Sequence, residues 1–266
     1  MTDIISVEYP RGSRFGNIVF VIAAAWAHAK RNNLRLVLTP YPTICWDGFL
    51  HKFKEQLVES ADICPPRWNE PHYAYRPIPK AARYIAGYYQ SAKHFADFDA
   101  DLRKLFYLPQ EQAQKANRKM ETILNGTDRR SAIAIHVRLT DYYHQLLSAT
   151  HAVCTPKYHI RAMAAVRLAK PDAVFFVFSD DIEQCRRQPH FRDCQFVDEP
   201  DPDQTLYIMS QMSGIIGANS SFSWWAAWLQ NKPTRAWFPT PWFGSGGPTD
   251  TGDVYYPGWN RISAVD

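Results

Sequence analysis

From residue 132 onward the sequence alternates short, almost wholly apolar runs with longer amphipathic ones, and few folds accept that rhythm. Strands are expected at 132–137, 173–178, 194–197, 214–216 and 234–238, with helices at 156–170, 181–187, 203–212 and 221–230 between them. Runs that are apolar at nearly every position need cover on both faces, so they belong to a mostly parallel sheet with helices on either side. Such a sheet holds its ligand beyond the carboxyl ends of the strands, in the crevice where strand order reverses. The polar residues His136, Arg138, Ser179, Asp180, Asn219, Ser220 and Ser221 all fall at or near those ends.

The first half opens in the same style. A strand at 4–9, a loop at 10–17 (PRGSRFGN), a helix at 17–33 and a strand at 34–38 make a βαβ start with a glycine-bearing turn. It is not a dinucleotide fingerprint, because the G-x-G-x-x-G spacing and the acidic residue ending the second strand are both missing. Residues 41–101 lose periodicity and are rich in Pro, His and Tyr, as in CPPRWNEPHYAYRPIP at 64–79; they read equally as the wall of a binding site or as irregular surface. Helices are expected at 99–106 and 110–124, with a turn at 125–130. The 266 residues then divide into two α/β domains, 1–128 and 129–266.

Composition narrows the partners. The formal charge is +4 with basic residues scattered along the chain, which argues against nucleic acid and leaves room for a phosphate-bearing small ligand. Five cysteines show neither C-x-x-C pairs nor ligand-like spacing, so neither a zinc site nor a disulfide framework is expected. No apolar run reaches the length of an integral membrane segment, and the acidic start MTDIISVEYP is unlike a secretory signal. The expected setting is cytoplasmic, with peripheral contact at the cytoplasmic membrane face as the alternative. Nine tryptophans and fourteen tyrosines are mostly accounted for by packing, and they also suit a carbohydrate substrate.

The candidate chemistry sits in two stretches. GANSSFSWWAAWLQ, at 217–230, is a short strand running into a helix whose first turn is small and polar, and the N–H groups of such a turn suit a phosphate. One serine is expected to cap the helix; Ser220, Ser221 and Ser223 behind Asn219 exceed what a cap needs. Phe222 could border the ligand, while Trp224, Trp225 and Trp228 pack. In IAIHVR, at 133–138, Arg138 can take two phosphate oxygens at once or simply pair with Asp141. His136 projects to the same side and is either a donor contact or a core histidine. Asp180 and Asp181 are expected to cap a helix or orient sugar hydroxyls, since adjacent acids without a further ligand do not suit a divalent metal. Gly12, Gly16 and Asn17 either make a bend or let the backbone approach a ligand. No G-x-S-x-G or H-E-x-x-H motif points to a hydrolase.

HVRLTDY (136–142), FSDDIE (178–183), ANSSFSWWAAWL (218–229), GSRFGN (12–17), PTPWF (239–243) and YPGWNRI (256–262) together resemble the α-1,2-fucosyltransferase family, glycosyltransferase family 11. The resemblance implies a GT-B-like fold of two facing Rossmann-like domains, the C-terminal one holding the donor and the N-terminal one the acceptor. It implies metal-independent, inverting transfer of fucose from GDP-fucose to an oligosaccharide or glycolipid, with no further cofactor. Arg138 matches the arginine on the β-phosphate, His136 a neighbouring donor contact, and Ser220 to Phe222 the phosphate-holding turn. Gly16 and Asn17 match the N-terminal loop at the interlobe cleft. The chain departs from the family at Leu139 and Thr140, where an arginine and a glycine are usual, and at Thr205, where an acid linked to guanine recognition is expected; Asp203 is the nearby acid that could serve. A general base is open among His72, His144 and Asp141. The competing readings are a transferase of the same fold using another nucleotide sugar, and a noncatalytic glycan- or partner-binding relic.

Overall fold

A computed structural model of the chain describes residues 4–60, 65–71, 73–143 and 147–265. His72 and His144 lie outside the described residues. The chain divides into two compact units, Met1–Pro109 with Asp250–Tyr256, and Gln110–Thr249 with Pro257–Asp266.

The first unit contains β1 (Ile4–Glu8), α1 (Phe15–Asn32), β2 (Arg35–Leu36), β3 (Arg67–Asn69), β4 (Tyr84–Ala86) and the short α2 (Asp99–Arg103). Its sheet has the order β2-β1-β4-β3, parallel throughout. Helix α1 is apolar on most of its circumference, with Ile18 to Ala25 all buried, and it ends where Asn33 turns left-handed at φ 53 and donates its N–H to the Ala29 carbonyl. The helix starts at Phe15, two residues before the expected start. Gly16 and Asn17 therefore belong to its first turn and not to the preceding loop, and the bend is made at Gly12, whose φ is +72. Strands β3 and β4 went unread because three-residue strands such as RWN and YIA carry no alternation to detect.

The second unit opens with α3 (Gln110–Leu124) and continues through β5 (Ala132–Val137), α4 (Ser148–His151), α5 (Pro156–Ala169), β6 (Val174–Ser179), α6 (Ile182–Arg186) and β7 (Gln195–Val197). It ends with α7 (Pro202–Gln211), β8 (Gly214–Ile216), α8 (Ser221–Gln230), β9 (Ala236–Thr240) and β10 (Asn260–Ser263). The sheet order is β10-β9-β8-β5-β6-β7, again parallel throughout. The chain starts on β5, moves outward through β6 and β7, then returns to lay β8, β9 and β10 on the other side. Strand order thus reverses between β5 and β8, and their carboxyl ends bound the crevice. β5 is buried at all six positions, as its composition requires.

The compact units part at 109/110, and the sequence expectation set the domain division at 128/129. Helix α3 joins the second unit because Asn117 Nδ2 donates to the Tyr207 hydroxyl at 2.9 Å and Lys119 meets the buried Glu199 at 2.6 Å. Residues 250–256 return to the first unit, where Asp253 accepts the Tyr75 N–H at 2.9 Å and pairs with Lys93. Strand β10 was missed because its burial alternates only between half-buried and exposed, the pattern of an edge strand with no apolar run.

Candidate active site

Arg138 is the first residue past β5, so the strand delivers its guanidinium to the carboxyl edge. Nε and Nη2 contact Asp141 Oδ1 at 2.9 and 2.6 Å, and Nη1 contacts Asp180 Oδ2 at 3.1 Å. The Nε contact is a hydrogen bond and the two Nη contacts are ion pairs, and the side chain is 12% exposed. Asp180 is held in turn by the Leu139 N–H at 2.9 Å and the Thr140 hydroxyl at 2.5 Å. Burial opposes its charge, but the Thr140 hydroxyl, the Arg138 guanidinium and the Leu139 N–H outweigh it and keep the carboxyl below its ordinary value. The adjacent Asp181 does separate work, accepting the Gln184 N–H as the cap of α6.

Across the crevice, β8 ends at Ile216 and the chain passes through Gly217 into α8. A Cβ on Gly217 would lie 2.1 Å from the Phe238 ring, so only glycine lets the strand end this close to β9. Its carbonyl accepts the buried Tyr158 hydroxyl at 2.5 Å. Ser220 caps α8, accepting the Phe222 N–H at 3.3 Å. Ser223 is fully buried and turns inward to the carbonyls of Ala218 and Ser220. Ser221 is half-buried at the first helical position, and no acidic residue occupies the first turn to compete with an anion.

The two sides are tied together. The His136 and Phe222 rings lie 5.5 Å apart, and the Tyr142 ring sits 5.6 Å from the Arg138 guanidinium while its hydroxyl donates to the Asn219 carbonyl at 3.0 Å. His136 is 5% exposed; burial, then the Arg138 charge, push its ring down to about 4, so it is neutral near pH 7, and Nδ1 has no partner among the described residues. Asn219 is engaged at both ends of its amide, donating to the His151 carbonyl at 3.1 Å and accepting from the Cys154 thiol at 3.5 Å. It shapes the turn.

The family model described as Glycosyl transferase family 11 matches residues 66–263. The chain belongs to glycosyl transferase family 11. It is 29% identical to an alpha-1,2-colitosyltransferase of Escherichia coli over 190 residues, 68% of this chain and 64% of that protein. It is 25% identical to galactoside alpha-(1,2)-fucosyltransferase 1 of Ateles belzebuth over 242 residues, 85% of this chain and 65% of that protein. The family 11 chain thus spans less than two thirds of the length of either relative. Two solved structures share its fold: POFUT1 in complex with GDP, at 12% identity and TM-score 0.53, covering 88% of this chain and 97% of that one; and fucosyltransferase NodZ from Bradyrhizobium, at 16% identity and TM-score 0.51, covering 85% and 92%. Two α/β units with parallel sheets make the architecture GT-B-like.

Within this family 11 chain the departures from the motif have structural work. Leu139 packs against the core beneath β5 and β6, and its N–H and the Thr140 hydroxyl are the donors that fix Asp180. Thr205 turns its hydroxyl to the carbonyls of Glu199 and Asp201. Asp203 is buried in the first turn of α7, which packs against α8, and both helices follow strands of the same sheet. Gly16 and Asn17 lie in the other unit, beyond the carboxyl end of β1. Among the described residues, no group of three or more His, Cys, Asp or Glu is placed to hold a metal ion. No described helix is long and apolar enough to cross a membrane. Tyr142, Tyr158 and Cys154 were not legible as site residues, since a tyrosine or cysteine in a loop or helix carries no periodic signal of what it will touch.

Proposed function

We propose that this family 11 chain is an inverting glycosyltransferase that moves fucose from GDP-fucose to a hydroxyl of a β-galactoside, forming an α-1,2 linkage. The observation that carries this reading is the Arg138 guanidinium, clamped by Asp141 and Asp180 at the point of strand reversal, opposite the first turn of α8. The fixed charge of its guanidinium and the N-terminal dipole of α8 are what a diphosphate needs. In the reaction the acceptor oxygen attacks the anomeric carbon as the bond to the diphosphate breaks, and the acceptor proton leaves to solvent or a nearby base. Negative charge grows on the β-phosphate, and Arg138 with the Ser220 to Phe222 turn would offset it, each such contact being worth roughly 3 kcal/mol. His136, Phe222, Asp180 and Asp203 would line the rest of the donor site, with Asn219 shaping the turn and Gly16 and Asn17 on the acceptor side. Support for the linkage comes from the two relatives whose names specify alpha-1,2 transfer.

One of those relatives is a colitosyltransferase, which favours a second reading: the same transfer with another deoxy sugar on the donor. Melting temperature in GDP, UDP, dTDP and ADP tests the nucleotide, with a rise expected for GDP alone. Product analysis after incubation with GDP-fucose and lactose, N-acetyllactosamine or methyl β-galactoside tests the sugar, the linkage and the inversion. Absence of any GDP-induced shift sinks both readings.

A further inference from the structure

The first unit holds a cavity of about 310 Å³ to which none of the donor-site residues contributes. Its walls come from the last turns of α1, the start of β2 and the 3-10 helix His51–Gln56. Asn33 and Leu34 lead directly from α1 into β2, so the cavity sits at the amino end of that strand, which is an edge of the sheet. Ligands of open α/β sheets lie beyond the opposite, carboxyl ends. The cavity is therefore distinct from the crevice of either sheet. The turn that forms it is tight: left-handed Asn33 and the following Leu34 both donate their N–H groups to the Ala29 carbonyl.

One part of the lining is apolar. Leu36 and Phe53 are buried, and Trp26 is half-buried with its ring edge-on to Phe98 at 5.8 Å. The other part is cationic. Lys30, Arg35 and Lys52 line the cavity, all three are exposed, and no acidic residue lines it. Neighbouring cations have found carboxylates, Arg31 at 2.8 Å from Asp97 and Lys54 at 2.5 Å from Asp47. Among the described residues no ion pair engages Lys30, Arg35 or Lys52, and Asp101, whose carboxyl feels the Lys30 charge, is itself paired with Lys104 at 2.7 Å. The C-terminal dipole of α1 accounts for Lys30. It does not account for Arg35 and Lys52 on the same cavity, and three like charges gathered there repel until an anion joins them. A bare anion would leave the apolar side unused, and an apolar ligand would leave the cations unanswered. The ligand that uses both sides carries an anionic head on an apolar body, and basic side chains beside a tryptophan are the groups that hold such a molecule at a membrane surface.

We propose that this cavity holds one anionic phospholipid at a membrane surface, with its phosphate on Lys30, Arg35 and Lys52 and the start of its chains on Trp26, Leu36 and Phe53. The inference does not depend on the transferase reading, because its test reads binding alone. The test is co-sedimentation of the whole chain with phosphatidylcholine vesicles, with and without phosphatidylglycerol, and melting temperature in dihexanoyl phosphatidylglycerol or in glycerol phosphate beside it. Sedimentation should require phosphatidylglycerol, and the short-chain lipid should raise the melting temperature where glycerol phosphate does not. Lys30→Gln, Arg35→Gln and Lys52→Gln should each weaken vesicle binding about fivefold, and the triple variant about a hundredfold. Lys115→Gln, which removes the same charge from an exposed position on α3 in the second unit, should change it by less than about twofold. An equal loss for Lys115→Gln would reduce the effect to net charge and overturn the site. An equal rise in glycerol phosphate would make it a phosphate site with no lipid, and a parent that ignores phosphatidylglycerol would end the proposal. Lys52→Gln decides it even if the other variants do not fold.

Discussion

At the scale of single residues, Arg138 shows how a strand end becomes a chemical group. The sequence placed it at the sheet edge but left its partner open between phosphate and Asp141; in the fold Asp141 and Asp180 both pair with the guanidinium and fix its orientation. Arg138→Ala is expected to lower single-turnover transfer by about a hundredfold or more, roughly 3 kcal/mol, and Arg138→Lys by nearly as much, since an ammonium cannot span two carboxylates and a phosphate. Rates within threefold of the parent would refute the role. The buried histidines make a second expectation. Burial pushes His136 down to about 4 and His94 and His159 to about 3 from an ordinary 6.5. The unfolded chain therefore takes up protons first as pH falls, so the stability held by the neutral rings is complete above about pH 6.5 and declines toward pH 4, by about 3 kcal/mol for a ring with the shift of His136. Melting temperature should drop steeply between pH 7 and 5. His159→Phe, which replaces two unpartnered ring nitrogens, should make that slope shallower.

At the scale of elements, the turn from β8 into α8 depends on what packs behind it. The Tyr158 hydroxyl from α5 holds the Gly217 carbonyl, and the Phe238 ring from β9 occupies the space a side chain would need. Gly217→Ala should cost about 1–3 kcal/mol by overpacking, and adding Phe238→Leu should recover part of it; equal melting temperatures for Gly217→Ala and the parent would show the contact to be slack. Apart from α4 and β10, the elements of the second unit were legible because apolar runs and amphipathic helices there alternate regularly. The first unit was less so: β3 and β4 are three-residue strands set in a Pro-, His- and Tyr-rich stretch that has no regular period, whereas α2 falls inside the helix expected at 99–106. The paired Asp180 and Asp181 mark the limit of local reading. One caps α6 and the other reaches Arg138, and nothing in the dipeptide says which.

At the scale of the whole molecule, the chain passes between the two units three times and not once. It leaves the first unit at residue 109 and returns to it for 250–256, where Asp253 holds the Tyr75 N–H and Lys93. Asp253→Ala should lower stability by about 1 kcal/mol and loosen protection from hydrogen exchange around residues 73–76; unchanged exchange there would show the tie to be idle. What the sequence determined by itself was the architecture and the donor-side candidates, because hydrophobic period sets the layers and strand ends set the crevice. Only the tertiary structure decided where α3 and 250–256 belong, which aspartate reaches Arg138, and that Gln90 meets Asn17. Those choices join residues distant in the chain, and the energy that selects them comes from packing and hydrogen bonds that exist only once the sheets have formed.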